Sequence, residues 1–346
     1  MAQNDFANNI LSWFQIHGRQ LPWRETKDPY PIWLSEIILQ QTRVSQGMAY
    51  WQRFMERYPK VEELAAASED EVLRLWQGLG YYTRARNLHA AARQIVNMGH
   101  FPRTLEKIKK LKGVGDYTAA AICSFAYGMP CAAAIASFAF DIPVAAVDGN
   151  VFRVLARYHG IETPINTTEG KKLFTALAND VLPTNQAASF NQAMMDFGAT
   201  QCTPSSPRCQ SCPLQETCVA YREGKVELLP NKLKKIKIKE RHLIYIYIRC
   251  RGKVAIHRRG EGDIWQGLWE PLLLKNEPPS SLGIPLQLKR KGVKHVLTHQ
   301  ILLADIYLAE VATPPRLPGD YVWIEEKELD RYALPRLVEK LIEACR

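Results

Sequence analysis

The sequence predicts a multidomain protein, an all-α region followed by an α+β one. Three observations carry that reading. Over the first 200 or so positions apolar residues recur at helical spacing, as in Phe6, Ile10, Trp13 and Phe14, the mark of one buried helix face. Past Tyr221 the composition shifts, and residues 225–260 hold 12 Lys and Arg against two Glu. Beyond that stretch the period becomes two, as in Leu243-Ile-Tyr-Ile-Tyr-Ile-Arg249, which reads as a strand. The expected boundaries are 1–220 for the helical domain, 221–240 for a basic linker and 241–346 for the mixed domain.

The chain has 346 residues, 47% hydrophobic and 23% charged, enough for two to three domains with their own cores. A net charge of +10 and a pI near 9.1 favour a polyanionic partner. No apolar run approaches the roughly 20 residues that span a bilayer, and Met-Ala-Gln-Asn-Asp opens the chain without the pattern of a secretion signal. Eight cysteines in such a chain point to metal or catalytic use rather than disulfides. The cytoplasm is the expected compartment.

Taken in order, residues 4–17 form the first expected helix, stopped by Gly18. Leu21-Pro-Trp-Arg24 breaks the pattern, and Trp23 with Arg24 is either a stacked structural pair or a pocket wall. Pro31 to Gln41 follows as a helix that is apolar around most of its surface, with Glu36 inside it and Gln40 and Gln41 at its end. A carboxylate there is either a partnered core residue or a general acid whose pKa burial has raised. Further helices are expected over 44–58, 68–77 (capped by Ser68-x-x-Glu71) and 84–98. Between the last two, Gly78-Leu-Gly-Tyr-Tyr-Thr-Arg-Ala-Arg86 interleaves aromatic and basic residues. That suits a duplex minor groove, or simply a packing anchor.

Gly113-Val-Gly115 joins the helical patterns 104–111 and 117–126 as a hairpin. Its glycines admit φ > 0 and bare the N–H groups of the second helix, which suits a phosphate. Asp148, in Val147-Asp-Gly-Asn150, opens another helix and reads as a cap or a catalytic carboxylate. Between them, Ala119 to Cys131 is followed by a near copy, Ala132 to Val144, a tandem repeat of period 13. The first copy is expected to keep its place in the core and the second to bulge outward.

After the helix Asn191–Gly198 come Cys202, Cys209, Cys212 and Cys218, spaced Cys-x6-Cys-x2-Cys-x5-Cys. One central pair flanked by single cysteines suits an iron–sulfur cube, with zinc the alternative. Cys123, Cys131, Cys250 and Cys345 read as small buried hydrophobes. The lysines at 232, 234, 235, 237 and 239 in the linker are either a solvated face or a phosphate-tracking strap. Strands are expected at 243–249, 254–257, 299–308 and 321–324, a turn at Lys294–His299, and a closing helix at Leu334–Cys345.

The hairpin, the Val-Asp-Gly-Asn loop and the cysteine spacing resemble the endonuclease III superfamily of helix–hairpin–helix DNA glycosylases. Leu21-Pro-Trp-Arg24, Leu34-Ser-Glu-Ile-Ile-Leu-Gln-Gln-Thr42 and Gly78-Leu-Gly-Tyr-Tyr82 narrow the resemblance to MutY-type adenine DNA glycosylases. It runs from about residue 6 to the C-terminus, where Gly262–Glu270 looks like a Nudix-fold tail without that fold's acidic Mg²⁺ run. The resemblance implies a helix–hairpin–helix glycosylase domain with a [4Fe-4S] cluster on the four cysteines, then a Nudix-like lesion reader. It also implies excision of adenine opposite 8-oxoguanine, and opposite guanine, from double-stranded DNA by a monomer. Glu36 would protonate the base, Asp148 would stabilise the sugar cation and Asn150 would position Asp148. Trp23, Arg24, Leu39, Gln40 and Gln192 would contact the substrate, Gln41 and Tyr81 would fill the gap beside the mispaired base, and Gly113 and Gly115 would hold phosphate. Tyr117 stands where strand-cutting relatives carry a Schiff-base lysine, so a monofunctional enzyme is expected. Thr298 and His299 stand in the place of a His-x-x-Ser-His loop that touches oxoguanine. The alternatives are an endonuclease III-like glycosylase/lyase on oxidised pyrimidines and a non-catalytic iron–sulfur DNA-binding protein.

Overall fold

A computed structural model of the chain describes residues 2–127, 145–233, 238–274, 278–317 and 319–346. The chain divides into two compact units that interleave in sequence. One comprises Met1–Gln40 and Gln94–Lys234, the other Gln41–Arg93 and Lys235–Arg346.

The first unit is helical. Its longer helices are Ala2–His17, Pro29–Leu39, Asp116–Tyr127, Gly149–His159, Thr168–Asp180 and Ala187–Asp196. The predicted spacing of Phe6, Ile10 and Trp13 becomes a buried face against Val154, Leu155, Phe174, Phe190 and Phe197. Each such side chain contributes about 1.5–3 kcal/mol on burial. Trp13 meets Phe197 edge-on with centroids 5.0 Å apart. Pro29 can open its helix because its missing N–H would be unpaired there anyway, while Asp28 caps the end by accepting from the Tyr30 N–H at 2.9 Å. The helix expected to close at Gly198 ends at Asp196 and continues as a π-turn over Phe197–Gln201. Ala119–Tyr127 of the repeat lies in helix Asp116–Tyr127. The rest of the repeat, Cys131 included, falls outside the described residues, so the expected outward bulge does too.

The second unit combines helices Val44–Arg57, Val61–Ala66, Glu69–Trp76 and the start of Thr83–Asn97 with a sheet and a closing helix, Arg336–Ile342. The predicted capping box forms, with Ser68 and Glu71 each bonding the other's backbone N–H, at 2.9 and 3.2 Å. The strands are β1 (Lys239–Cys250), β2 (Lys253–Arg258), β3 (Trp269–Glu270), β4 (Leu272–Leu274), β5 (Gln287–Val296), β6 (Gln300–Val311) and β7 (Tyr321–Glu325). They run β3-β2-β1-β6-β5, with β4 on β1 and β7 on β2. Among the described residues only β1 and β6 pair in parallel, from Lys239↔Gln300 to Cys250↔Val311.

Two strand expectations change. Period-two alternation describes a strand with one wet face, yet Tyr245, Ile246, Tyr247 and Ile248 are all buried. The reason is that β1 is central. Tyr245 and Tyr247 pack toward Leu337 and Leu341 on one face, and Ile246 and Ile248 toward Leu272 and Ala309 on the other. The two phenols stay paired, donating to Glu270 and Glu326 at 3.0 Å each. The expected turn at Lys294–His299 is shorter, because β5 pairs through His295↔Leu302 and Val296↔Ile301. Only Leu297–His299 turns.

Candidate active site

Glu36 projects from helix Pro29–Leu39, whose residues Tyr30 to Ser35, Ile37 and Ile38 are buried. It keeps some surface open while lying deep among protein atoms. Burial and then the neighbouring Asp148 carboxylate raise its pKa from 4.5 to about 7, against the Arg24 guanidinium, which lowers it. A carboxyl held there shares its time between acid and base near neutral pH, as general acid catalysis requires.

Asp148 is the N-cap of helix Gly149–His159. One oxygen accepts from the Asn150 and Val151 N–H groups, both at 2.8 Å, and the other from Asn150 Nδ2 at 2.8 Å. Burial raises its pKa above 3.8, and these three bonds offset only part of that rise. The expected cap is therefore present, and capping fixes the carboxylate's orientation. Burial, and then the nearby Glu36 and Asp148 carboxylates, raise the Tyr117 phenol well above 10.0. Its hydroxyl donates to Met195 Sδ at 3.3 Å. Glu36, Asp148, Asn150, Tyr117 and Arg24 thus come together in the first unit.

The other predicted residues of that unit sit around them in the fold. Trp23 is buried in the short turn Pro22–Arg24. Arg24 makes a two-pronged ion pair with Asp196, at 2.9 Å on each prong. Gln40 donates to Thr118 Oγ1 at 3.2 Å, and Leu39 and Gln192 are half-buried. In the hairpin Gly113 has φ 76 and a side chain there would be strained. Gly115 departs from expectation. Its φ is not positive, and an added Cβ would meet nothing within 4 Å, so bare backbone rather than an unusual dihedral is what that glycine supplies.

Gln41 and Tyr81 belong to the second unit, and both hold positive φ, 54 and 49. Such strain in non-glycine residues collects at functional positions. Arg84 braces both turns, donating to Thr42 Oγ1 and the Gly80 carbonyl at 3.2 Å each, with its guanidinium over the Trp76 ring. Tyr81 is 51% exposed, and its hydroxyl bonds Thr298 Oγ1 at 2.5 Å. His299 accepts from the Lys239 N–H through its carbonyl, at 3.1 Å.

Cys202, Cys209, Cys212 and Cys218 are free thiols, all half-buried. Burial and mutual repulsion raise Cys209 and Cys218 and push Cys212 up to about 12. Backbone N–H groups of Leu214, Ala220 and Tyr221 point at the Cys212 and Cys218 sulfurs, and Arg157 Nη1 donates to Cys202 Sγ at 3.5 Å. Among the described residues no three His, Cys, Asp or Glu side chains meet tightly enough to hold one metal ion. Four mutually sensed thiols with N–H donors aimed at their sulfurs fit a polynuclear cationic group that takes one thiolate per metal. Cys123, Cys250 and Cys345 are buried, as expected.

The amino-acid sequence matches two families, described as "HhH-GPD superfamily base excision DNA repair protein" over residues 34–179 and "NUDIX domain" over 244–344. It is 31% identical to the adenine DNA glycosylase of Buchnera aphidicola subsp. Schizaphis graminum, over 98% of each chain. The chain belongs to the adenine DNA glycosylase family. The mouse member is 41% identical over 66% of this chain and 44% of its own. A solved thermostable thymine-DNA glycosylase is 30% identical and superposes with a TM-score of 0.55, covering 64% of this chain and 97% of that one. The two matches cover the helix-rich stretch 34–179 and the sheet-bearing stretch 244–344.

Several residues around Glu36 and Asp148 escaped the sequence reading. Asn179 and Asn191 accept from the Ala145 and Ala146 N–H groups at 2.7 and 3.0 Å, fixing the approach to Asp148. Arg153 donates to Asn150 Oδ1, the Gly198 carbonyl and the Cys202 carbonyl, at 2.9, 2.6 and 2.8 Å. Asp196 is fully buried and binds Arg19 as well as Arg24. A signal for it existed. Ala193-Met-Met-Asp-Phe-Gly198 sets one carboxylate in an apolar run, the same oddity that singled out Glu36.

Proposed function

We propose that the chain hydrolyses the N-glycosidic bond of adenine mispaired with 8-oxoguanine, and more slowly of adenine opposite guanine, in double-stranded DNA. The observation that carries this is the pairing of Glu36, poised near pH 7, with Asp148, locked by three hydrogen bonds. Once adenine is out of the stack, the Glu36 carboxyl gives its proton to the base and makes it a neutral leaving group. Asp148, aimed by Asn150, stabilises the oxocarbenium-like sugar or bonds to it until water adds, the two-carboxylate logic of glycoside hydrolysis. Tyr117 bears no amine, so no imine forms and the strand stays intact at the emptied sugar. Gln41 and Tyr81 enter the gap beside the mispaired base, and Thr298 and His299 contact the oxoguanine.

Cys202, Cys209, Cys212 and Cys218 would hold a [4Fe-4S] cluster, whose four iron–thiolate bonds would staple the loop. Residues 1–220 form the glycosylase domain, 221–240 the basic linker and 241–346 the Nudix-like reader, acting as a monomer among the DNA of the cytoplasm. No described helix is long and apolar enough to cross a membrane. The test is incubation of purified protein with duplexes carrying oxoguanine–adenine, guanine–adenine or a paired control. Adenine release fastest from the first supports the reading. No release from any of them overturns it, and equal rates on both mispairs remove the lesion preference alone.

A further inference from the structure

We propose that Asp196 is a positioning residue for the acid step. By clamping Arg24 with both oxygens it cancels a charge that would otherwise strip Glu36 of its proton. The proposal rests on the reading of Glu36 as the acid.

Asp196 lies at the end of helix Ala187–Asp196 with no exposed surface. Its two oxygens take both terminal nitrogens of Arg24, each at 2.9 Å, together with the backbone N–H and side chain of Arg19. A carboxylate with every lone pair committed is a rigid anchor. Burying it costs several kcal/mol unless it is paired this way, so the network is held by more than one contact. The charged or ionisable groups that face Glu36 are Asp148, Arg24 and the Tyr117 phenol. Arg24 is the cation of that set and it favours ionised Glu36. A guanidinium alone acts at a distance as a full charge. Locked against a carboxylate it acts as a dipole, whose field fades much faster. Asp196 therefore limits the pull of Arg24 on the acid while holding the guanidinium in place.

The experiment is the pH dependence of single-turnover adenine release for Asp196→Asn, Arg24→Met and the double variant. Asparagine keeps the shape and removes the charge. Asp196→Asn should move the basic limb of the profile down by about half a pH unit or more, so that the rate at pH 8 relative to pH 6 drops roughly threefold below wild type. Arg24→Met should move the limb the other way, and the double variant should bring it back toward wild type. A uniform loss at every pH, with the limb unmoved in both single variants, would reduce Asp196 to a structural clamp. If Asp196→Asn does not fold, Arg24→Met decides alone, since an unmoved or lowered limb there refutes the proposal. A wild type without a basic limb, or an active Glu36→Gln, would instead remove the reading of Glu36 itself.

Discussion

Gly198→Ala puts a single methyl group between the π-turn and the loop that carries Asp148. An added Cβ would lie 2.6 Å from Asn150 Cβ and 3.0 Å from both the Cα and the carbonyl oxygen of Asn150. Ordinary contact begins at 3.4 Å, so the two segments must part by most of an ångström. No flexible side-chain end can give way, because all three atoms belong to or adjoin the backbone. Overpacking of this kind costs about 1–3 kcal/mol. Asn150 holds Asp148 Oδ2 at 2.8 Å, and a misplacement of about 1 Å near reacting atoms costs on the order of 100-fold in rate. Urea unfolding should show the stability loss and single-turnover adenine release the loss of rate, with duplex binding least affected. Gly115→Ala, where a Cβ meets nothing within 4 Å, is the control and should unfold like wild type. Wild-type rate and urea midpoint for Gly198→Ala would refute the argument.

Glu36→Gln should abolish base release while leaving duplex binding largely intact. Because folding raises the Glu36 pKa from 4.5 to about 7, its carboxyl contributes stability below pH 4.5 that is lost as pH rises through 7. The glutamine variant should therefore be the more stable protein at pH 8, by an amount on the order of 3 kcal/mol at most, read as a higher urea midpoint. Tyr117→Lys should yield complexes with DNA that borohydride traps, and equal trapping by wild type would contradict the monofunctional reading. Cys209→Ser should lose brown colour and DNA binding together, whereas a colourless, zinc-loaded wild type purified without oxygen would rule out the cluster. Thr298→Ala should narrow the preference for oxoguanine–adenine over guanine–adenine without slowing base release from either in proportion. Equal losses on both substrates would assign the loop to general DNA binding.

Residues whose placement is written in a local oddity were legible in the sequence. Glu36 stood out as a carboxylate in an apolar helix, and Asp148 as an acid at a helix start between glycine and asparagine. The capping box at Ser68 and Glu71 needs only four consecutive residues, and it forms as expected. What distance in the chain creates was not legible. The parallel pairing of β1 with β6 joins strands some 60 positions apart, and it buries both faces of a strand whose alternation advertised one. Asn179 and Asn191 are ordinary helix residues until the chain brings Ala145 and Ala146 beneath them. The left-handed backbone of Gln41 and Tyr81 is invisible in side chains that carry no preference for it.

The interleaving of the two units bears on how the protein is made. Residues 41–93 leave the ribosome long before Lys235–Arg346, yet both belong to one compact unit. The contacts that join them span great lengths of chain: Arg258 to Glu69 across 189 positions, Trp269 to Asp70 across 199, and Gln77 to Glu339 across 262. Pairings so remote form slowly, because the loop between them must close before any contact rewards it. Until the last strands emerge, Glu69 and Asp70 lack Arg258 and Trp269. A nascent chain halted near residue 230 can complete the core around Phe6, Phe174 and Phe197, while its helices at 44–76 still wait for their partners. A newly made molecule thus gathers the core around Phe6, Phe174 and Phe197 first and gains the hydrogen bond of Tyr81 to Thr298 last.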